Sequence, residues 1–196
     1  DPVAVAVSGC FPGLNIALFA AMEAMRLRPV VVTSVGASMW GANDPGFTWL
    51  DMETVLFDAG VFTTRSALAS HGGADDMGRG LSPEGRAHIV AAAERNGVAL
   101  LESRSIEDAI VQRMAFYAEA SRGRPYRCFV NVGGGVAALG SGNNKPALPS
   151  GLSLTLPPHN WSRRGAMILF ASKGVPIIHL LRVQQLAREA GLRIAP

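Results

Sequence analysis

Val3-Ala-Val-Ala-Val7 leads directly into Ser8-Gly-Cys-Phe-Pro-Gly13, and this stretch decides the fold of the chain. Its first five residues are all apolar and three of them are β-branched, which is typical of a strand buried on both faces. Pro12 then begins an apolar helix that we expect to extend to about Arg26. Pro29-Val-Val-Val-Thr-Ser34 repeats the buried-strand pattern. A strand, a helix and a second buried strand predict a parallel β–α–β unit.

The same alternation continues to the end of the chain. Capping residues mark the helix starts: Thr48 precedes Asp51 in the capping-box spacing, and Ser82 and Ser105 precede acidic first turns. Further strands are predicted at residues 64–69, 98–101, 126–132 and 175–180. Further helices are predicted at 49–59, 83–96, 106–120, 161–172 and 183–190. The segments 70–81 and 143–158, rich in glycine and proline respectively, are predicted to be irregular.

These elements predict one domain over residues 1–196. Its fold class is α/β, a mainly parallel, Rossmann-like three-layer sandwich. A chain of 196 residues is long enough for one domain with a sizeable core. The sequence begins abruptly at Asp1-Pro2 and ends abruptly at Ala195-Pro196. We therefore expect a fragment or processed piece of a longer protein, in which a preceding segment has room for an anchor.

The composition excludes several classes of protein. With 48% hydrophobic and 17% charged residues, the chain is not intrinsically disordered. Its longest apolar run, residues 16–22, is too short to span a membrane, so the fragment itself is expected to be soluble. The net charge of +3 is spread along the chain, which argues against a nucleic-acid partner. Cys10 and Cys128 form neither a zinc motif nor a disulfide framework, and no cofactor is predicted.

Right-handed crossovers place the loops that follow parallel strands at one edge of the sheet, where ligands bind in open α/β folds. After the first strand, Ser8 is a candidate nucleophile on a sharp turn, and Cys10 is a second candidate. The backbone N–H groups of the same turn are equally suited to binding an anion. His71 and His179 follow later strands and are candidate general bases. For His179 the alternative is a packed structural role, and for His71 it is a solvated loop.

Polar and glycine residues of the same loops are candidate ligand-binding residues. The three glycines after the strand at 126–132 permit a close approach of the backbone to a ligand, and Arg79 offers a counter-charge for an anion. The full candidate set is Gly9, Asn15, Ser34, Ser38, Trp40, Asn43, Asp44, Arg79, Asn131, Gly133, Gly134 and Gly135. Asp75 and Asp76, with Asp44, are a weaker alternative as ligands of Mg²⁺ or Ca²⁺, and no metal motif accompanies them.

Three segments, at residues 7–15, 34–53 and 131–135, together resemble the poly-γ-glutamate system protein family. They read Val-Ser-Gly-Cys-Phe-Pro-Gly-Leu-Asn, Ser-Val-Gly-Ala-Ser-Met-Trp-Gly-Ala-Asn-Asp-Pro-Gly-Phe-Thr-Trp-Leu-Asp-Met-Glu and Asn-Val-Gly-Gly-Gly. Cys10 departs from the family pattern, in which serine is expected. The resemblance covers nearly the whole chain. It implies an accessory role in the membrane-bound machinery that makes or exports poly-γ-glutamate, a bacterial capsule polymer, in the cell envelope. It also implies that residues 1–196 are the C-terminal portion of a longer protein with an N-terminal membrane segment.

Two functions in that context are compatible with the residues. In the first, Ser8 or Cys10 attacks a γ-glutamyl amide in hydrolysis or transfer, a histidine acts as the base and backbone N–H groups hold the oxyanion. In the second, the same loops bind carboxylates or a phosphate without chemistry. The expected partner is poly-γ-glutamate or its synthase and export complex. A nucleotide- or sugar-phosphate-binding enzyme unrelated to the polymer is a third alternative.

Overall fold

A computed structural model describes residues 1–36 and 44–194. Within these residues, one sheet is flanked by helices. The strands are β1 Pro2–Ser8, β2 Arg28–Gly36, β3 Ser66–Gly72, β4 Leu100–Leu101, β5 Phe129–Val132, β6 Gly151–Ser153 and β7 Ile177–Leu180. The helices are α1 Pro12–Ala24, α2 Trp49–Asp58, α3 Pro83–Arg95, α4 Ile106–Ala120, α5 Val136–Leu139, α6 Ala166–Ala171 and α7 Val183–Glu189, with a 3-10 helix at Gly142–Ala147.

The strand order in the sheet is β4-β3-β2-β1-β5-β7-β6. All neighbouring strands are parallel except β6, which runs antiparallel to β7 at one margin of the sheet. The strands β2, β3 and β4 follow one another on one side of β1, and the next strand, β5, lies on the other side of β1. The order of the strands therefore reverses between β1 and β5, which creates the crevice where α/β sheets bind ligands. The predicted α/β, mainly parallel, Rossmann-like architecture is confirmed.

The core lies on both faces of β1, which is buried along its whole length. On one face, Ala4 and Ala6 contact an aromatic cluster from α4, β5 and α6. On the other face, Val5 packs against Phe19 of α1 and Trp49 of α2, whose rings meet edge to face at 5.5 Å. Small side chains on one face and branched ones on the other let helices pack closely on both sides, which produces the three layers.

The predicted helix caps are present. Asp51 accepts hydrogen bonds from the backbone N–H of Thr48 at 2.6 Å and from its hydroxyl at 2.8 Å, at the start of α2. The hydroxyls of Ser82 and Ser105 each accept a backbone hydrogen bond from three residues onward, at 3.1 Å in both cases. These bonds satisfy N–H groups that have no partner within the first turn of a helix.

Several predicted boundaries were wrong. The strands predicted at 98–101, 126–132 and 175–180 begin only at Leu100, Phe129 and Ile177. The strand predicted at 64–69 lies at Ser66–Gly72, so His71 belongs to β3 and not to the loop after it. The helix predicted at 161–172 begins only at Ala166, with Gly165 as its N-cap. A Cβ on Gly165 would lie 2.1 Å from the backbone nitrogen of Gly140, so this close crossing requires glycine at position 165. The segment predicted to be irregular contains the 3-10 helix and β6.

Candidate functional site

The two loops that flank the reversal of strand order contact each other directly. Gly133, which follows β5, has a φ of +90°, and a Cβ there would lie 2.9 Å from the Phe11 ring and 3.0 Å from the Cβ of Ser8. Both the backbone conformation and the close approach therefore require glycine. A buried side chain of α1 stabilises the turn after β1: Asn15 donates a hydrogen bond to the Ser8 carbonyl at 3.0 Å.

A pocket of about 320 Å³ opens between these loops. Ser8, Cys10 and Phe11 line it from the β1 side, Gly134 and Gly135 from the β5 side, and Lys145 from the 3-10 helix. Lys145 is the only charged side chain in the described lining. Its Nζ lies 3.9 Å from the position that a Cβ on Gly134 would occupy, so the ammonium group stands directly over the glycine backbone. The pocket is therefore electropositive and has room for a small acidic group.

The position of Lys145 is set by its buried neighbour Asn144. The Asn144 amide donates hydrogen bonds to the carbonyls of Leu139 and Arg163, at 2.8 and 2.6 Å, and its oxygen accepts one from the Ser162 hydroxyl at 3.0 Å. These bonds tie the 3-10 helix to α5 and to the segment before α6. The exposed lysine is thus carried on a segment that is held to the body of the protein.

Two residues that line the pocket, Gly134 and Gly135, also carry free backbone donors. Their amide nitrogens have no hydrogen-bond acceptor among the described residues. At the start of α1, the N–H groups of Gly13 and Leu14 have no intrahelical partner and Phe11 provides no side-chain cap, but neither Gly13 nor Leu14 is among the described lining of the pocket. Free N–H groups at a helix start attract anions. The predicted anion-binding role of Gly134 and Gly135 is compatible with this arrangement.

The two candidate nucleophiles contact each other. The Ser8 hydroxyl lies 3.3 Å from the Cys10 sulfur, and no hydrogen bond joins either group to a histidine in the part of the chain that the structure describes. Ser8 is nearly buried, whereas Cys10 is half-buried and borders the pocket. Among the described residues, no histidine is therefore hydrogen-bonded to either residue to remove its proton.

His179 lies in β7 and is fully buried. The Asn131 amide donates hydrogen bonds to the Nδ1 atom of His179 at 3.0 Å and to the Gly133 carbonyl at 2.7 Å. Since an amide nitrogen can only donate, Nδ1 is an acceptor and the ring proton is on Nε2. Burial lowers the pKa of His179 to about 4, so the ring is neutral at physiological pH. The pair holds the turn that contains Gly133.

The two aspartates of the loop after β3 have different partners and different exposure. Asp75 and Asp76 both have a positive φ, of 58° and 61°. Asp75 forms an exposed ion pair with Arg79 at 2.9 Å, whereas Asp76 is buried and forms an ion pair with Arg113 of α4 at 2.8 Å. Arg79 is therefore paired outside the pocket. Among the described residues, no group of three or more potential metal-ligating side chains comes together.

Arg113 is the centre of a buried polar cluster beneath the site, which we call the Arg113 cluster: Arg113, Asp76, Ser34 and Ser70. Its guanidinium donates to both oxygens of Asp76 and to the Ser34 hydroxyl at 3.0 Å, and it also contacts the Ser70 hydroxyl. Ser34 lies in β2 and Ser70 lies in β3, so the cluster joins the Asp76 loop to the sheet. Ser34, a predicted ligand residue, is thus engaged in this cluster.

The remaining predicted residues are more peripheral. Ser38, Trp40 and Asn43 lie outside the described residues. Asp44 is exposed and accepts a hydrogen bond from the Gly46 N–H at 2.8 Å in a local turn. The Gly9 N–H donates to the Ser34 carbonyl at 2.9 Å, which joins the β1 turn to β2. His71 is half-buried in β3 and makes no described hydrogen bond to Ser8 or Cys10.

Two residues of the candidate site and its surroundings were not predicted from the sequence. Lys145 is one of only two lysines in the chain, and its place in an irregular glycine- and proline-rich segment was a usable signal. Arg113 follows Ile106, Ala109 and Ile110 at helical spacing, so a charged residue on the buried face of α4 was visible in the sequence.

None of the described helices combines the length and the apolar character needed to cross a membrane. Comparisons of the chain with protein-family models, with curated proteins and with solved structures found no match.

Proposed function

We propose that this protein binds carboxylate groups of a γ-linked glutamate polymer in the pocket at the carboxyl edge of the sheet, as a non-catalytic accessory component of polymer synthesis or export. The observation that carries the proposal is the charge of the pocket. Lys145 is the only charged side chain in its described lining. The N–H groups of Gly134 and Gly135, which have no acceptor among the described residues, are available as further donors to an anion. A lysine over free backbone N–H groups is suited to a carboxylate.

The choice of polymer comes from the resemblance to the poly-γ-glutamate system proteins. Each of the three segments that carry this resemblance contributes to the pocket: Ser8 and Cys10 from the first, Gly36 from the second, and Gly134 from the third. Segments distant in the sequence thus meet at one ligand-sized opening. This convergence supports a shared ligand contact as the reason for the resemblance.

Binding is favoured over cleavage because, in the described part of the chain, no histidine is hydrogen-bonded to either candidate nucleophile. Ser8 and Cys10 are hydrogen-bonded to each other, and the neutral His179 is paired with Asn131. An amide-cleaving enzyme needs a base within hydrogen-bond reach of its nucleophile.

Calorimetric titration with a γ-linked glutamate oligomer tests the binding role. We expect Lys145→Gln to weaken binding about tenfold, the size of a lost charge-assisted hydrogen bond. Lys173→Gln is the matched control, because Lys173 is the other lysine of the chain and does not line this pocket. Equal affinity of Lys145→Gln and the unchanged protein would refute the proposal.

The length of poly-γ-glutamate during incubation with the protein separates binding from catalysis. We expect no shortening and no release of free amines, for the unchanged protein and for Ser8→Ala and Cys10→Ala alike. Shortening that one of these substitutions abolishes would establish an amide-cleaving or transferring enzyme and identify its nucleophile.

A further inference from the structure

A second pocket lies at the opposite, amino edge of the sheet. Tyr126, just before β5, and Val175, just before β7, line it together with the last turns of α4 and α6. Its volume is about 490 Å³, which is in the range of sites that hold small organic molecules. It shares no lining residue with the pocket at the carboxyl edge. The two openings are therefore separate sites.

The floor of this amino-edge pocket is aromatic. Tyr117, Tyr126 and Phe170 meet edge to face, with ring centroids 5.4 to 6.0 Å apart. Met114 and Val175 extend the apolar surface. Interlocked rings in this geometry hold their positions, so the pocket offers a preformed surface for a flat hydrophobic group.

The neutral polar side chains of the pocket already have partners within the protein. The Tyr117 and Tyr126 hydroxyls donate to the carbonyls of Val5 and Tyr117, both at 2.7 Å. The Ser121 hydroxyl donates to the Ala118 carbonyl at 2.8 Å. These groups are not available to orient a ligand. The groups left to do so are the charged ones.

Two cations, Arg124 and Lys173, line the pocket, one after each helix. Neither side chain makes a hydrogen bond or an ion pair with the described residues, and no acidic residue is among the described residues that line the pocket. Arg127, three residues after Arg124, is by contrast paired with Asp1. The last carbonyls of α6 accept bonds from residues 172–175, so they do not need Lys173 as a partner. Both charges are available to an anion.

We propose that the amino-edge pocket binds a small organic anion with a flat apolar body, such as an aromatic carboxylate. The apolar body contacts Tyr126 and Phe170, and the carboxylate lies between Arg124 and Lys173. The charge of the pocket disfavours a cationic ligand of the same shape, because its described lining carries two positive groups and no negative one. This site is independent of the one proposed for the glutamate polymer.

Titration of ¹⁵N-labelled protein with 2-naphthoate, and separately with 2-naphthamide and 2-naphthylmethylammonium, tests this assignment. We expect the amide signals of Tyr126 and Val175 to shift most, and the naphthoate to bind more tightly than the amide and the amide more tightly than the ammonium. Replacing Arg124 or Lys173 by Gln is expected to weaken naphthoate binding about fivefold each, the upper range for an exposed charge pair. The same changes should leave naphthamide binding within about twofold.

Matched substitutions separate the pocket from the general surface. Ala118→Phe places a ring in the pocket and should abolish binding, whereas Ala115→Phe, at an exposed position of the same helix outside the pocket, should not. Arg122→Gln is the control for Arg124→Gln, since Arg122 is exposed and does not line the pocket. Absence of naphthoate binding at millimolar concentration, tighter binding of the ammonium, or shifts confined to Gly134 and Gly135 would each overturn the proposal.

Discussion

Gly133 shows how much of the candidate site depends on a single residue. It combines a left-handed backbone with a contact to Phe11 and Ser8 that leaves no space for a side chain. Asn131 and His179 hold the same turn from the other side. The sequence predicted a close backbone approach at the three glycines, but it did not show which segment of the protein they approach. That neighbour is determined by the pairing of β1 with β5, which is a contact between distant residues.

We expect Gly133→Ala to be more destabilising than Gly60→Ala, as measured by the free energy of unfolding in urea. Both residues have a positive φ, which costs about 1 kcal/mol for alanine. Open space surrounds Gly60, whereas a Cβ at Gly133 meets the Phe11 ring, so its substitution should cost at least about 1 kcal/mol more. Equal losses for the two substitutions would show that the loops can separate freely.

The buried Arg113 cluster should have a large effect on stability. We expect Arg113→Met to lower the free energy of unfolding by about 3–5 kcal/mol, because it leaves the Asp76 carboxylate buried without its counter-charge. Adding Asp76→Asn to Arg113→Met should recover part of the loss, since asparagine is neutral and tolerates the positive φ at this position. A double variant less stable than Arg113→Met would contradict this account.

At the scale of elements, the junction of α2 with β3 contains a buried carboxylate. Glu53 of α2 accepts hydrogen bonds from the backbone N–H and the hydroxyl of Ser66, both at 2.9 Å. Burial raises the pKa of Glu53 to about 7. Its protonated form is therefore favoured in the folded state. The stabilising contribution is fully present below the ordinary pKa of glutamate and is lost as the pH rises through about 7.

We expect the stability of the unchanged protein to fall between about pH 5 and pH 8, by on the order of 2–3 kcal/mol from this group. Glu53→Gln, which resembles the protonated carboxyl, should remove this part of the pH dependence and be the more stable protein at pH 8. Urea unfolding at a series of pH values measures the difference. Parallel pH profiles for the two proteins would show that Glu53 does not titrate in this range.

The capped helices were predictable because their signals are local. Thr48 with Asp51, and Ser82 and Ser105, each specify a helix start within four residues. The edge strand β6 was not predictable, because its three residues lie in a segment that is rich in proline and acquires strand structure only by pairing with β7. Likewise the close approach of Gly140 to Gly165, the N-cap of α6, joins residues 25 positions apart in the chain and has no local signal.

At the scale of the whole molecule, the sheet separates two pockets of like charge and different lining. The pocket at the carboxyl edge has glycine backbone and Lys145, and the one at the amino edge has aromatic rings with Arg124 and Lys173. The two lysines of the chain are thus divided between the two edges. Right-handed crossovers predicted from the sequence that the loops after the strands meet at the carboxyl edge. The amino-edge pocket was not predicted, because it forms where the ends of α4 and α6 meet.

This division leads to a crossed prediction. Lys145→Gln should weaken binding of the γ-linked glutamate oligomer and leave binding of 2-naphthoate unchanged. Lys173→Gln should weaken binding of 2-naphthoate and leave binding of the oligomer unchanged. Calorimetry of both ligands on both variants at one ionic strength measures all four affinities. If either variant failed to bind both ligands, the two ligands would share a site or the fold would be damaged. The thermal unfolding temperature of the variant distinguishes these two explanations.

The most direct test of the carboxyl-edge pocket is to locate the ligand. Titration of ¹⁵N-labelled protein with a γ-linked glutamate dimer should shift the amide signals of Gly134 and Gly135 most, because their N–H groups and Lys145 form the proposed contact. The shifts should diminish in Lys145→Gln. Binding that leaves both glycine signals unchanged, or that persists fully in Lys145→Gln, would contradict the proposed site.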